Sequence, residues 1–200
     1  MTKILLASTS PTRRRILNKA GIKFIIKKPM IDEEKEKEKL KYLKNPRRKC
    51  QEIAKKKSIK TSLKYKNYFV LGVDTCLIYK NEFLSKPRTK EIAKKLLNNL
   101  KGKEHKIYSC IFISKNGKKV WKYEDEAKLK IRRLSRDEIS NYINKLKLKK
   151  IKESGLYQIE EIGVTLFEKI EGSFFTILGL PLIPLLKFLN KKRLLFWKTI

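Results

Sequence analysis

Apolar and polar residues follow one another along the chain in patterns typical of buried strands and amphipathic helices. The strongest strand pattern is Tyr68–Tyr79, an apolar run rich in β-branched and aromatic residues. Lys90–Leu100 has apolar residues at helical spacing and is followed closely by a glycine, which predicts a helix. Two further predicted strands, Lys106–Ser114 and Lys119–Ile131, are separated by Asn116-Gly117, a dipeptide typical of hairpin turns.

Shorter elements are predicted around these segments. Lys3–Ala7 predicts a buried strand, and the turn Ser8-Thr9-Ser10 leads into a helix from Pro11 to about Ala20. The other predicted elements are a strand at Phe24–Ile26, helices within Lys35–Lys66 with a break at Asn45-Pro46, a helix at Arg136–Leu146, a strand at Ile162–Ile170 and a helix at Leu182–Asn190. Because helices and strands interleave while the hairpin requires antiparallel strands, the sequence predicts a mixed α/β fold.

The net charge is the first composition feature that bears on function. The 200 residues suit one domain or two closely joined lobes, and 51 Lys and Arg against 20 Asp and Glu give a formal net charge of +31. Such a charge attracts the phosphates of nucleic acids. However, only ten of the basic residues are arginine, and the lysines are spread along the chain and often alternate with glutamate. We therefore expect a solvated surface that binds polyanions non-specifically at low salt, without a dedicated nucleic-acid groove.

Scarce residue types exclude several classes of chemistry. Cys50, Cys76 and Cys110 are isolated and odd in number, so neither a disulfide framework nor a thiolate zinc site is expected. His105 is the only histidine, which excludes a histidine-rich metal site and favours a structural or surface role for this residue. A reaction catalysed by this chain would have to use carboxylates, lysines and a hard metal ion.

The apolar runs are too short for a membrane protein. The longest uncharged run, Gly172–Leu186, contains two prolines and falls short of a membrane span. The apolar run Ile4–Ala7 is too short for the core of a signal peptide. We therefore expect a soluble cytoplasmic protein.

Three arginines stand at the start of the first predicted helix. Arg13, Arg14 and Arg15 fall in its first turn, where the helix dipole favours anions over cations. An anion bound between the hydroxyls of the preceding turn, free backbone N–H groups and guanidinium groups would explain this arrangement. A basic surface helix that begins with Ser-Pro explains it equally well.

Further segments carry side chains suited to phosphate or metal chemistry. Asp74 ends an apolar stretch, where a carboxylate is costly to bury unless it is paired or faces a cleft; it could hold a cation or accept a proton. Lys86 precedes Pro87, which would hold it rigidly against a phosphate. Asp32-Glu33-Glu34 offers additional carboxylates, and the polar loop 154–161 could contact a base edge. Taken singly, each is explained better by a turn or a solvated loop.

The order and spacing of these segments resemble the Maf family of nucleoside triphosphate pyrophosphatases. The similarity covers about residues 3 to 190. It rests on Leu5–Arg14, on Gly72-Val73-Asp74-Thr75 with Lys86-Pro87, on Leu100–His105, and on Ile170–Ser173 with Leu178–Leu182.

The resemblance implies an elongated architecture of two lobes around one central cleft, formed by a single domain over residues 1–200, and a homodimer. It also implies a metal-dependent enzyme that uses Mg²⁺ or Mn²⁺ to cleave a nucleoside triphosphate between the α- and β-phosphates. Asp74 matches the family's general base, and Lys86 matches the residue that neutralises charge developing on the phosphates. The matches to its triphosphate-binding residues are Ser8, Ser10, Arg13, Arg14 and Lys57, and the matches to its metal ligands are Glu33 and Asp74.

The positions that distinguish base preference within the family correspond to Thr12, Thr75 and Glu160. Members that prefer dTTP and UTP are similar in carrying Arg, Thr and Gln there, and those that act on 7-methyl-GTP carry Trp, Gln and Glu. This chain matches neither set, so the base stays open. A protein of another class, a basic nucleic-acid-binding or partner-binding division regulator that keeps the fold without catalysis, is the alternative that the +31 charge supports.

Overall fold

A computed structural model describes residues 3–195, apart from the side chains of Glu153 and Ser154. The strands of this part of the chain are β1 Ile4–Ala7, β2 Ile25–Lys27, β3 Phe69–Tyr79, β4 Glu82–Leu84, β5 Glu104–Lys115, β6 Lys118–Ile131 and β7 Phe167–Glu171. They form one mixed sheet in the order β2-β1-β3-β5-β6-β7, and β4 also pairs with β3. Strands β1, β2 and β3 are parallel, and the other pairings are antiparallel.

Helices cover both faces of this sheet, which confirms the mixed α/β prediction. They are α1 Pro11–Lys19, α2 Glu33–Lys39, α3 Pro46–Lys64, α4 Lys90–Leu100, α5 Arg136–Lys145, α6 Leu148–Ser154, α7 Phe174–Ile177 and α8 Leu182–Lys191. No helix in the described range is both long and apolar enough to span a membrane.

Two predictions about local structure need correction. The strand expected over Ile162–Ile170 begins only at Phe167, because Ile162–Leu166 is a 3₁₀ helix. Local bonds hold that turn: the Val164 N–H donates to the Glu161 carbonyl at 3.2 Å, and the Thr165 hydroxyl donates to the Ile162 carbonyl at 2.7 Å. The short helices α6 and α7 were not predicted, because each spans too few residues to show a helical period.

Alternate residues of β3 face opposite sides of the sheet, and one side is covered by α3. Gly72 lets α3 approach closely, since a Cβ atom at this position would lie 2.3 Å from the Ala54 carbonyl oxygen. The Ser58 hydroxyl fixes the contact by donating to the Val70 carbonyl at 2.7 Å. The even-numbered residues of β3, including Asp74, therefore face α3.

The odd-numbered residues of β3 join two hydrophobic cores on the opposite side of the sheet. Leu71 and Val73 belong to a core with α1 and α8, whereas Leu77 and Tyr79 pack against a second core with α4, α5 and α6. Thr75 lies between them, and its hydroxyl is 2.9 Å from that of the buried Ser109 on β5. Thr75 and Ser109 thus form a polar seam between the two cores, and one sheet runs through both.

His105 belongs to the second core and is a buried residue of β5. Its Nε2 atom lies 2.9 Å from the Tyr157 hydroxyl. Burial lowers the pKa of His105 to about 4, so the ring is neutral at physiological pH. Of the two roles expected for this histidine, the structure shows the structural one.

Candidate active site

The centre of the candidate site is a buried lysine between two carboxylates. Nζ of Lys57 lies 2.9 Å from Oδ1 of Asp74 and 2.9 Å from Oε2 of Glu33. The Lys57 side chain is only 3% exposed, and its ammonium group also lies 3.4 Å from the Val73 carbonyl oxygen. Three residues that are distant in sequence are thus brought together, and the buried charges compensate one another.

Lys57 owes its position to the buried face of α3. Its neighbours Lys55 and Lys56 lie on other sides of the helix, where Lys55 pairs with Glu52 and Lys56 with Glu36. The close approach of α3 at Gly72 then brings the Lys57 ammonium to Asp74, two residues farther along β3.

Glu33 is placed by the start of helix α2. The carboxylate of Asp32 accepts hydrogen bonds from the Glu34 and Lys35 backbone N–H groups at 3.1 and 3.2 Å, which caps the helix. One turn later, the buried Glu36 pairs with Lys56 at 2.6 Å and Lys60 at 3.1 Å, both on α3. Hydrogen bonds from these two lysines lower the pKa of Glu36 to about 2.

Lys86 adds a cation to the same group of charges. The residue as a whole is exposed, but partial desolvation of its ammonium group lowers its pKa to about 8. The positive charges of Arg13 and Lys57 also lower this pKa, whereas Asp74 and Glu33 raise it. Lys86 is therefore close enough to Asp74 and Glu33 to interact with them electrostatically.

Two adjoining cavities flank the turn between β1 and α1. The first, of about 360 Å³, is lined by residues that include Ser8, Ser10, Arg14 and Arg15. The second, also of about 360 Å³, is lined by three carboxylate side chains and one cation, from Asp32, Glu33, Glu34 and Lys28. Thr9 lines both, so a basic, hydroxyl-bearing cavity adjoins an acidic one. A molecule with phosphate groups and a bound cation matches this distribution of charge.

Arg13 differs from Arg14 in being buried beneath this turn. Its Nε donates to the Gly179 carbonyl at 2.9 Å, and its Nη2 donates to the Thr75 hydroxyl at 3.0 Å. Its Nη1 lies 3.1 Å from the Val73 carbonyl oxygen and 3.3 Å from the Ser8 hydroxyl. No local pattern in the sequence indicates these bonds, because most of the partners are distant along the chain.

The three positions matched to base preference lie in different surroundings. Thr12 is half-buried on α1, and the hydroxyl of Thr75 is bonded within the polar seam. Glu160 forms an ion pair with Arg15, which joins α1 to the segment after α6. This partner of Arg15 was not predicted from the sequence.

Glu33 and Asp74 provide two nearby carboxylates, a ligand set that suits a divalent cation bound together with substrate phosphates. Because both oxygens contact the same Nζ atom, they lie at most twice 2.9 Å apart. The described residues contain no group of three or more His, Cys, Asp or Glu side chains that could enclose a metal ion. Mg²⁺ is commonly bound by one or two carboxylates together with substrate phosphates, so two carboxylates beside a basic cavity suffice.

Comparison with known proteins identifies the family. The family model described as "Maf-like protein" matches residues 3–192. The 7-methyl-GTP pyrophosphatase of Bartonella henselae is 37% identical over 183 residues, which are 92% of each chain. The nucleoside triphosphate pyrophosphatase of Pelagibacter ubique is 35% identical over 94% of this chain and 97% of the relative. The protein of that name from Caulobacter vibrioides is 36% identical over 95% and 96%. The chain therefore belongs to the Maf family.

Proposed function

We propose that this protein is a nucleoside triphosphate pyrophosphatase, which hydrolyses a standard or modified nucleoside triphosphate to the monophosphate and diphosphate. The observation that carries the proposal is the convergence of Glu33 and Asp74 on Lys57, next to the basic turn at the start of α1. Relatives named as pyrophosphatases of this kind cover nearly the full length of the chain, which supports the same activity.

The basic cavity is the proposed binding site for the triphosphate. The hydroxyls of Ser8 and Ser10 and the guanidinium group of Arg14 line it at the start of α1. Backbone N–H groups at a helix start favour anions, and guanidinium groups pair well with phosphate oxygens. Lys57 and Lys86 add positive charge from the side of Asp74.

Asp74 is the proposed general base. In the reaction, a water oxygen bonds to the α-phosphorus, the bond from that phosphorus to the bridging oxygen breaks, and the bridging oxygen leaves with the diphosphate. The water proton passes to the Asp74 carboxylate, whose Oδ1 is held in place by Lys57. Lys86 neutralises negative charge that develops on the phosphates as the bond breaks.

Glu33 and Asp74 would hold the divalent cation, Mg²⁺ or Mn²⁺. When bound, the cation neutralises phosphate charge and helps orient the triphosphate. Lys57 contacts the same two carboxylates, so its ammonium group keeps them close together and limits their mutual repulsion. Thr12, Thr75 and Glu160 are the proposed determinants of base preference.

A panel of standard and modified nucleoside triphosphates, assayed with and without Mg²⁺, tests the proposal. We expect metal-dependent release of diphosphate, and Asp74→Asn should abolish it while the circular dichroism spectrum stays unchanged. Release of orthophosphate instead would indicate cleavage of the terminal phosphate. Full turnover by Asp74→Asn would overturn the role of this residue.

Salt separates this function from the alternative of a basic binding protein without catalysis, which the +31 charge supports. Binding of a polyanion through dispersed lysines should collapse between low and moderate salt. Pyrophosphatase turnover with Mg²⁺ should persist over that range. A chain that binds polyanions but turns over no nucleotide would favour the alternative.

Light scattering on the same preparation tests the homodimer implied by the family.

A further inference from the structure

We propose that Arg13 is a positioning residue, which fixes the Asp74 segment against the Ser8 turn and does not itself bind the triphosphate. This inference rests on the proposed function and changes the part that the family resemblance implies for Arg13. It concerns a residue adjacent to Arg14, so the two arginines of one helical turn have different roles.

The hydrogen bonds of Arg13 leave its guanidinium group little capacity for a ligand. An arginine side chain has five N–H donors in a fixed plane. In this structure, Nε, Nη1 and Nη2 already contact four protein oxygens, and the residue is only 9% exposed. Arg14, in contrast, is exposed and lines the basic cavity. Arg14 can therefore contact phosphate oxygens in the cavity, whereas the N–H donors of Arg13 are already bonded to protein oxygens.

The acceptors of Arg13 explain what the residue positions. The Val73 carbonyl and the Thr75 hydroxyl flank Asp74 on β3, while the Ser8 hydroxyl belongs to the turn before α1. One rigid group thus bonds both neighbours of the proposed base and a proposed phosphate-binding hydroxyl. Since guanidinium geometry is fixed, these bonds hold Asp74 at a set distance from the place where the phosphates would bind.

Gly179 completes this arrangement from the C-terminal part of the chain. Its carbonyl accepts from Arg13 Nε at 2.9 Å, and its backbone has a φ of +87°. A Cβ atom here would lie 3.0 Å from the Thr75 hydroxyl oxygen and 3.7 Å from Arg13 Nη2. A methyl group at this position would therefore disturb the contact between Arg13 and Thr75 without changing any charge.

Arg13 also acts on Lys86, because its positive charge influences the pKa of that ammonium group. Desolvation is the main cause of the lowered pKa of Lys86, and the positive charge of Arg13 lowers that pKa further. Lys57 acts in the same direction, whereas Asp74 and Glu33 raise the pKa. Loss of the guanidinium charge should therefore raise the pKa of Lys86. A residue that only stabilised the fold would leave this pKa unchanged.

The test compares Arg13→Gln with Arg14→Gln in the full-length protein. For Arg13→Gln, we expect kcat to fall about 100-fold, KM to change less than about threefold, and the basic limb of the kcat/KM profile to move to higher pH. For Arg14→Gln, we expect mainly a rise in KM and weaker binding of inorganic diphosphate by calorimetry. Diphosphate affinity of Arg13→Gln should stay within about threefold of wild type.

Gly179→Ala keeps the proposal testable if Arg13→Gln does not fold. Because this variant retains all charges, a lowered kcat at unchanged diphosphate affinity supports positioning. Unchanged turnover of a folded Gly179→Ala variant would overturn it, as would diphosphate affinity lost at least tenfold in Arg13→Gln. If the wild-type protein releases diphosphate from no nucleotide, the proposed function itself fails, and this inference fails with it.

Discussion

Lys57 and Asp74 form a buried ion pair, with 2.9 Å between Nζ and Oδ1, across the contact between α3 and β3. Glu33 contacts the same nitrogen from the start of α2, so one ammonium group joins three elements of the fold. Loss of the Lys57 ammonium group would leave two carboxylates poorly compensated in a largely buried place, which is costly. The stability of this region therefore depends on how the charges of the two proposed metal ligands, Glu33 and Asp74, are compensated.

Lys57→Met should lower the free energy of unfolding by about 3 kcal/mol in the absence of divalent cations. Millimolar Mg²⁺ should restore part of this loss, because the cation would compensate the two carboxylates in place of the ammonium group. Urea unfolding with and without Mg²⁺ measures both effects. Lys55→Met is the matched control, since Lys55 is exposed on the same helix and pairs with Glu52. Equal losses in the two variants would contradict the prediction.

Glu36→Gln should remove part of the stability that the protein loses in acid. The pKa of Glu36 is lowered to about 2, so its contribution is fully present above the unfolded pKa of about 4.5 and is lost as pH falls toward 2. We expect a loss of about 1–2 kcal/mol at pH 7, allowing for solvent screening of the lysines. The wild-type and variant stabilities should converge near pH 2.

Thermal unfolding between pH 2 and 7 measures this convergence. Glu38→Gln is the control, because Glu38 is exposed on the same helix and pairs with Lys41. Since α2 carries Glu33, Glu36→Gln should also raise the Mg²⁺ concentration that is needed for half-maximal activity. A stability difference that stays constant over the whole pH range would show that Glu36 does not act through its charge.

Lys86 should produce the basic limb of the pH–rate profile. Its pKa is lowered to about 8, so kcat/KM for the free enzyme should fall as pH rises through 8 and the ammonium group loses its proton. Arginine stays protonated over this range, so Lys86→Arg should shift that limb to above about pH 10, even if its maximal rate is lower. Initial rates at saturating Mg²⁺ measure the profile. An unshifted limb in Lys86→Arg would assign the titration to another group.

Arg15→Ala should change the selection between neutral and cationic bases. Arg15 pairs with Glu160, and a base with a fixed positive charge, such as 7-methylguanine, would be repelled by Arg15 and attracted by an unpaired Glu160. Because the pair is partly exposed, we expect the ratio of kcat/KM for 7-methyl-GTP over GTP to rise about three- to tenfold. Lys19→Ala removes another cation of the same cavity and is the control. The same rise in both variants would exclude a specific effect of the pair.

The periodic segments of the sequence were predicted well because local physics determines them. The helix Lys90–Leu100 and the hairpin at Asn116-Gly117 have their expected places, since amphipathic spacing and turn chemistry depend on near neighbours. The apolar strand around Asp74 indicated that its carboxylate needs a partner or a cleft, and in the structure Lys57 is a partner. The segment at Ile162 was misread as strand because short apolar runs do not distinguish a strand from a tight helical turn.

The partners of the site residues could not be predicted in the same way. Lys57 stands beside two other lysines, and the polar residues on the buried face of α3 hide the helical pattern that would have distinguished it. Arg13 bonds to Gly179, 166 residues later in the chain, and to Thr75, 62 residues later. Such pairs form only when the sheet and its helices assemble, so no local signal indicates them.

The missing side chain of Gly72 determines how close α3 lies to the sheet, and so it determines the geometry of the candidate site. Any larger residue would collide with the Ala54 carbonyl and force α3 away from the sheet. The displacement would carry the Lys57 ammonium out of reach of its carboxylate partners, although position 72 contributes no side chain to the chemistry. Substitutions that repack the contact between α3 and β3, for example to raise the melting temperature, must therefore keep the glycine at position 72.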